Sequence, residues 1–174
     1  NDGIKNIIRN NRINTTHYSG IGVLLDNQAH HAIVDNNTIF GISEGSLVSS
    51  AYNALIILRE VQNATLTNNN ISGPFQSAIS VEVDGGIGQD YYNHTIDESN
   101  IAEGLPIKYI FNNDSMNITD VDYSQTYGFY AIAYSENVNI SNATFATDGL
   151  GLYNVNKSYV TDTYINSTLG MGLN

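Results

Sequence analysis

Leu66-Thr67-Asn68-Asn69-Asn70-Ile71 is the stretch whose reading decides the fold: an apolar residue, an Asn or Asp two places on, and a second apolar residue at the sixth place. The pattern returns as Ile8 to Ile13 around Asn10, Val34 to Ile39 around Asn36, and Ile118 to Tyr123 around Asp120. It returns again as Ile140 to Phe145 around Asn142 and Val160 to Ile165 around Asp162, with a weaker copy from Ile96 to Ile101 that carries Glu98 at the polar place. The first apolar positions, 8, 34, 66, 96, 118, 140 and 160, are separated by 26, 32, 30, 22, 22 and 20 residues. Self-similarity at such periods is the mark of a stacked repeat.

Between most copies lies a short alternating run that turns every second side chain to one face of a strand. The runs are Ile21, Val23 and Leu25; Leu55 and Ile57; Ile79, Val81 and Val83; Ile107, Tyr109 and Phe111; Phe129, Ala131 and Ala133; and Leu150 and Leu152. No apolar series at helical spacing is long enough to predict a helix. A repeat near 22 residues made of short strands cannot bury its apolar face alone. Coiling the chain so that each strand lies ~4.8 Å above its equivalent solves this. The expected fold is therefore all-β, a right-handed parallel β-helix of about seven coils forming one domain over 1–174, without obvious caps. Loops are inserted near 43–53, 73–77 and 84–94. Ile8, Val34, Leu66, Ile118, Ile140 and Val160 should form one interior column, and Ile13, Ile39, Ile71, Tyr123, Phe145 and Ile165 another. Asn10, Asn36, Asn68, Asp120, Asn142 and Asp162 should form a corner ladder, because a short amide or carboxyl tolerates left-handed backbone and bonds the turn above.

The residues Gly20-Ile21 leading to Val34-Asp35-Asn36-Asn37-Thr38-Ile39, and Ser135-Glu136-Asn137-Val138-Asn139-Ile140-Ser141-Asn142, carry a family likeness. They resemble right-handed parallel β-helix repeats of archaeal and bacterial surface proteins and of NosD-like, carbohydrate-binding or sugar-hydrolase-type modules. The segment Asn100 to Ile110 is similar to the Asn-x-x-x-Gly-Lys-Pro-Ile-Tyr-Tyr insert of archaeal members, with Leu105 in place of the Lys and Lys108 in place of the first Tyr. The resemblance implies right-handed coiling and a surface or periplasmic home, and by itself no reaction.

The 6 Lys and Arg stand against 17 Asp and Glu, a formal net charge of -11, which repels phosphate backbones and anionic lipid heads. Nucleic acid and membrane insertion are not expected partners; glycans and further copies of the chain are. With no cysteine, disulfides and thiolate metal sites are excluded. Eleven Asn-X-Ser/Thr sequons are present, where 25 Asn beside 28 Ser and Thr give about 4 by chance. An extracellular, cell-surface glycoprotein is the expectation. Asn14, Asn63, Asn93, Asn113, Asn117, Asn139, Asn156 and Asn166 are the glycan candidates, whereas Asn36 and Asn142, in the corner ladder, are expected to stay bare.

Catalysis is not expected. The densest acidic group, Asp84, Asp90, Asp97 and Glu98, lacks a neighbouring arginine, and no paired-carboxylate signature accompanies it. It is the place for the alternative reading, a carbohydrate-binding or polysaccharide-cleaving module of a larger secreted protein. No cofactor is expected; calcium is the one ion whose oxygen preference suits such loops. His30-His31 cannot readily share an ion, since neighbours on a strand face opposite ways. Lastly, if Asn174 of one copy preceded Asn1 of another, Ile8 would fall 22 residues beyond Val160, one whole rung. Met171 and Leu173 would then precede Ile8 as Phe129 and Ala131 precede Ile140. Head-to-tail stacking into a filament through Ile4, Ile8, Met171 and Leu173 is the expectation, with a fragment of a longer coil as the alternative.

Overall fold

The computed structural model describes residues 5–16, 20–41, 54–73, 77–84, 88–145 and 148–165. The described chain is all-β, a parallel β-solenoid interrupted by a 3-10 turn at Gln89–Tyr91. Among the described residues no helix is long and apolar enough to cross a membrane. Ile4, Asn166, Met171, Leu173 and the loop near 43–53 lie outside the described residues, as do 74–76 and 85–87 of the other two insertions.

Three turns open the coil. They are β1 (Ile7–Arg9), β2 (Arg12–Thr15) and β3 (Val23–Asp26); β4 (Ile33–Asp35), β5 (Thr38–Gly41) and β6 (Ala54–Arg59); and β7 (Thr65–Thr67), β8 (Asn70–Ser72) and β9 (Ser77–Glu82). β10 (Thr95–Ile96) and β11 (Ile101–Ala102) begin a fourth. The pairing is parallel and in the register of the repeat: Ile8 beside Val34, Val34 beside Leu66, Leu66 beside Ile96. Residues some thirty apart in the chain thus become neighbours, and their side chains fill one continuous core.

The fourth turn departs from the expected pattern. Ala102, not Ile101, stacks on Ile71, and Ile101 pairs with Asn70. The corner holds one extra residue, which moves Asn100 to the buried place that Asn69 fills below it. Glu103 and Gly104 then both take positive φ, 49° and 86°, and close a tight antiparallel hairpin with Ala102 opposite Leu105. Two left-handed residues in a row are the requirement of a type I′ turn, which a glycine at the second place eases.

That hairpin ends the single column the repeat predicts. β12 (Leu105–Phe111) does not lie on β9. It folds back on β11, and the sheet continues through β14 (Phe129–Glu136) to β16 (Leu150–Asn156), giving the seven-stranded order β2-β5-β8-β11-β12-β14-β16. Three turns of the second half join this sheet to β13 (Asn117–Asp122), β15 (Asn139–Phe145), β17 (Tyr159–Thr161) and β18 (Tyr164–Ile165). Ile118, Ile140 and Val160 stack there as expected, but as a separate column from Ile8 to Ile96. The coil therefore has six turns and one partial turn.

The join also explains which alternations mislead. One face of β14 supplies Phe129, Ala131 and Ala133 to the first core, and the other supplies Tyr130 and Ile132 to the second. Likewise Gly151 and Tyr153 sit with Ala131 and Ala133, while Leu150 and Leu152, taken from the sequence as one interior face, sit with Tyr130 and Ile132. In β6 the residues in line with Val23 and Leu25 are Ile56 and Leu58, so Leu55 and Ile57 mark the opposite phase. A strand covered on both faces carries no alternation to read.

Candidate functional site

What the repeat builds is a set of corners and two outermost rungs, and these are where its chemistry lies. Asn10, Asn36, Asn68, Asp120, Asn142 and Asp162 all adopt left-handed backbone, with φ between 47° and 60°. Two further columns do the same: Asn27, Glu60, Asn112, Tyr134 and Asn154, then His31, Asn63, Ser115, Asn137 and Lys157. Each turn from residue 60 onward with a full set repeats the spacing 60-63-68, 112-115-120, 134-137-142 and 154-157-162. Among the described residues nine of the 17 left-handed non-glycine positions are Asn, which accounts for part of this residue's abundance, since a short amide meets the least strain there.

The left-handed bend keeps the hydrogen-bond ladder running round the corner. Asn10 N–H donates to Asp35 O, Asn36 N–H to Thr67 O, Ser115 N–H to Glu136 O and Asn137 N–H to Asn156 O, at 2.8–3.2 Å. In each case the acceptor precedes the corner residue of the next rung. Side chains add a second ladder outside: Asn36 Nδ2 to Asn10 Oδ1 at 2.8 Å and Asn142 Nδ2 to Asp120 Oδ1 at 2.7 Å. Asn36 and Asn142 are exposed although they belong to this ladder.

The buried ladder is one residue further on. Asn11 Nδ2 donates to Asn37 Oδ1 at 3.0 Å, Asn37 Nδ2 to Asn69 Oδ1 at 3.0 Å and Asn69 Nδ2 to Asn100 Oδ1 at 2.8 Å. Asn37, Asn69 and Asn100 are almost wholly buried, and a buried amide is tolerated only when its hydrogen bonds are made. The doubled Asn-Asn at 10-11, 36-37 and 68-69 is the signal that finds these residues. The second half places Val121, Ala143 and Thr163 after its corners instead and packs that interior with apolar groups.

At the outermost described rungs the surface changes character. β1 stands at one edge of its sheet, and Ile7 is 56% exposed beside half-buried Ile8. β17 and β18 stand at the other extreme, with Tyr159 71% and Tyr164 65% exposed. Lys5, Arg9 and Arg12 belong to the first of these rungs, and Lys157 and Asp162 to the last.

The acidic group named from the sequence is not assembled into a centre. Asp84 and Asp90 are exposed, Asp97 accepts the N–H and hydroxyl of Ser99, and Glu98 pairs with Lys108. Among the described residues no group of three His, Asp or Glu stands close enough to hold a metal ion. His30 Nδ1 accepts Gln62 N–H at 3.0 Å, and its neighbour His31 is a left-handed corner. Of the glycan candidates, Asn14, Asn93, Asn113, Asn117, Asn139 and Asn156 are exposed and Asn63 is half-buried. A shallow polar pocket of about 180 Å³, which the sequence does not announce, is lined by Asn112, Asp114, Tyr134, Glu136 and Asn154 among others.

Two buried titratable groups lie at the join of the two halves. Asp148 accepts Ala78 N–H at 3.1 Å, and burial, with the charge of Glu103 second, pushes its carboxyl up to about 8. His94 Nδ1 accepts Ala64 N–H at 3.2 Å, so its proton sits on Nε2, a buried atom without a partner; burial lowers this imidazole to about 4. Tyr153 hydroxyl donates to Ile79 O at 3.2 Å, and Tyr109 hydroxyl to Tyr92 O at 2.6 Å. Asp148, Tyr153 and Tyr109 tie the second half to β9 and to the segment before β10, and His94 joins that segment to the one before β7. They belong to the scaffold. No family model, curated protein or solved structure matches the chain.

Proposed function

We propose that this chain is a structural or adhesive element of an extracellular surface, a stiff coil that stacks end to end on copies of itself. The observation that carries the reading is the pair of outermost described rungs. Among the described residues both are edge strands, and each turns a large apolar side chain, Ile7 or Tyr159, outward. An uncovered parallel edge is a template for another strand, and a contact between unlike ends that repeats without closing makes a fibre. The interior supports the same use, because the ladders of Asn37, Asn69 and Asn100 hold neighbouring rungs in one register. Sequon density and exposed sequon asparagines support the surface location and the glycan coat.

The test is the size of the purified full chain, by light scattering and by negative-stain images across a concentration series. Rod-like particles that lengthen with concentration are expected. A monomer that persists to high concentration removes the stacking reading.

The polar pocket favours a second reading, a carbohydrate-binding module. Carboxamides, carboxylates and one phenol gathered in a shallow recess suit a ligand rich in hydroxyls. Screening the chain against immobilised polysaccharides, with Asp114→Ala and Asn154→Ala as controls, tests it. Binding unaltered by both substitutions removes this pocket from consideration.

A further inference from the structure

The polar recess of the second half is built from three stacked rungs. Asn112, Tyr134 and Asn154 line it as one column, all three at left-handed corners. Asp114, Glu136 and Asn156 line it as a second, with Asn156 directly beside Glu136 in the sheet register. These groups are held by the fold itself. Glu136 N–H donates to Asp114 Oδ1 at 2.8 Å, and Lys157 Nζ holds Glu136 Oε2 at 2.9 Å. Tyr134 is strained, a bulky residue at a corner where the rungs on either side place asparagine, and its ring is fixed 5.8 Å from Tyr92 and 6.3 Å from Phe111.

Among the described residues that line the recess, Asn156 is the one that heads a sequon, Asn156-Lys157-Ser158. Its Nδ2 turns toward Asn154 Oδ1, 3.4 Å away, which is past the ordinary length of an amide hydrogen bond. A group linked to Nδ2 therefore starts over the recess and displaces little. Asn36, Asn139 and Asn142 also head sequons, but each donates from Nδ2 to the neighbouring rung at 2.7–2.8 Å, so a link there competes with a ladder bond.

We infer that Asn156 is a glycan attachment site and that the first sugar of the glycan lies back in this recess. The inference rests on the glycan-coated surface reading above and specifies one site of that coat. Attachment joins Asn156 Nδ2 to the anomeric carbon of a glycosyl group and breaks the bond from that carbon to the phosphate of a lipid-linked donor. The phosphate leaves with the bonding electrons, and the amide loses one proton. Carboxamides and carboxylates suit the hydroxyls of the sugar, and two carboxylates against the single Lys157 disfavour an acidic one, so the first sugar is neutral. A volume of about 180 Å³ lies below the ~300–1,000 Å³ of a site that encloses a larger ligand, and so matches one ring. Tethering offsets the shallowness of the recess. A sugar bonded to Asn156 meets it at an effective concentration on the order of millimolar, whereas a free sugar has to bind by contacts alone.

The test uses the full chain secreted from a eukaryotic host whose N-linked glycans begin with N-acetylglucosamine, trimmed to that one sugar by an endoglycosidase. Glycopeptide mass spectrometry should find Asn156 occupied. Asn156→Gln should lower the thermal midpoint by about 2–4 °C, the shift that losing a hydrogen bond or two brings in a chain of this size. The same substitution in unglycosylated chain is the blank and should shift nothing. Asn93→Gln, at an exposed sequon that does not line the recess, should also leave the midpoint unchanged. Asn154→Gly keeps the left-handed backbone and removes the carboxamide, so in that background Asn156→Gln should shift the midpoint less. Asn156 bare while other sequons are occupied overturns the inference and leaves the glycan coat standing. So does an occupied Asn156 whose loss shifts nothing, or shifts the midpoint equally with and without Asn154→Gly. A chain bare at every sequon overturns both.

Discussion

Asn69 lies directly over Asn37 although 32 residues separate them, and the Asn37 side chain donates to Asn69 Oδ1 at 3.0 Å. Asn69 also accepts Asn37 N–H at 3.1 Å, donates to Val34 O at 2.8 Å and donates to Asn100 Oδ1 at 2.8 Å. One wholly buried amide thus holds three rungs together, and its stabilising effect comes from the cost of leaving those partners dry and unpaired.

Replacing Asn69 by Ala removes four hydrogen bonds. At roughly 1 kcal/mol net for each, the expected loss is about 3–4 kcal/mol, read as a shift in the urea midpoint. Asn142→Ala, at an exposed corner, should cost about 1 kcal/mol through backbone strain and one solvated bond. Equal effects at the two sites would show that the buried ladder has no special weight.

Gly128, just before β14, packs directly on the backbone of Ala102 in β11. A Cβ built there would stand 2.0 Å from Ala102 O and 2.8 Å from Ala102 C, both backbone atoms of β11. Gly128→Ala must therefore displace β14 from β11, at a cost of roughly 3 kcal/mol or more. Gly88→Ala, with nothing within 4 Å of the new carbon, serves as the control and should be nearly neutral. A stable, unshifted Gly128→Ala protein would contradict the packing at the join.

Stability should depend on pH through Asp148 and His94 in opposite senses. Asp148 titrates near 8 in the fold and at its ordinary 3.8 when unfolded, so the folded chain holds the extra proton and stability falls as pH rises from about 4 to about 8. His94 is lowered from 6.5 to about 4, so the unfolded chain holds the extra proton and stability falls as pH drops through that interval. Between pH 4 and 6.5 the two slopes oppose and largely cancel. From 6.5 to 8 only Asp148 acts, at up to about 1.4 kcal/mol per pH unit. Thermal melts at pH 5, 6.5 and 8 should show a plateau and then a decline, and Asp148→Asn should flatten the decline. A melting temperature that rises between pH 6.5 and 8 would contradict a buried neutral carboxyl.

Lys157 occupies a left-handed corner at φ 49°, where Asn137 stands one rung below. Its ion pair with Glu136, 2.9 Å long, is largely exposed and contributes little. Lys157→Asn should therefore raise stability by roughly 0.5 kcal/mol as the backbone strain is relieved. A measured loss would mean that the pair outweighs the strain.

Much of the coil was legible because a solenoid writes its contacts into its period. Leu66 and Val34, or Ile118 and Ile140, announce their stacking through spacing alone, and the corner asparagines announce left-handed backbone through their chemistry. The inner ladder was missed: Asn-Asn doublets mark its first members, but a doublet does not say which amide faces inward. That follows from the bend: the left-handed residue turns its own side chain out and delivers the next one to the core.

By itself the sequence determined the rung, its parallel register, its columns within each half and the residues that bend it, since all of these depend on neighbours one period away. Only the tertiary structure decided that the column breaks at Glu103–Gly104, that β14 is shared by two cores, and that Asp148 and His94 end up dry. Those outcomes depend on how one half packs against the other. Packing of that kind uses general apolar surface and a single tight turn, and neither leaves a periodic trace.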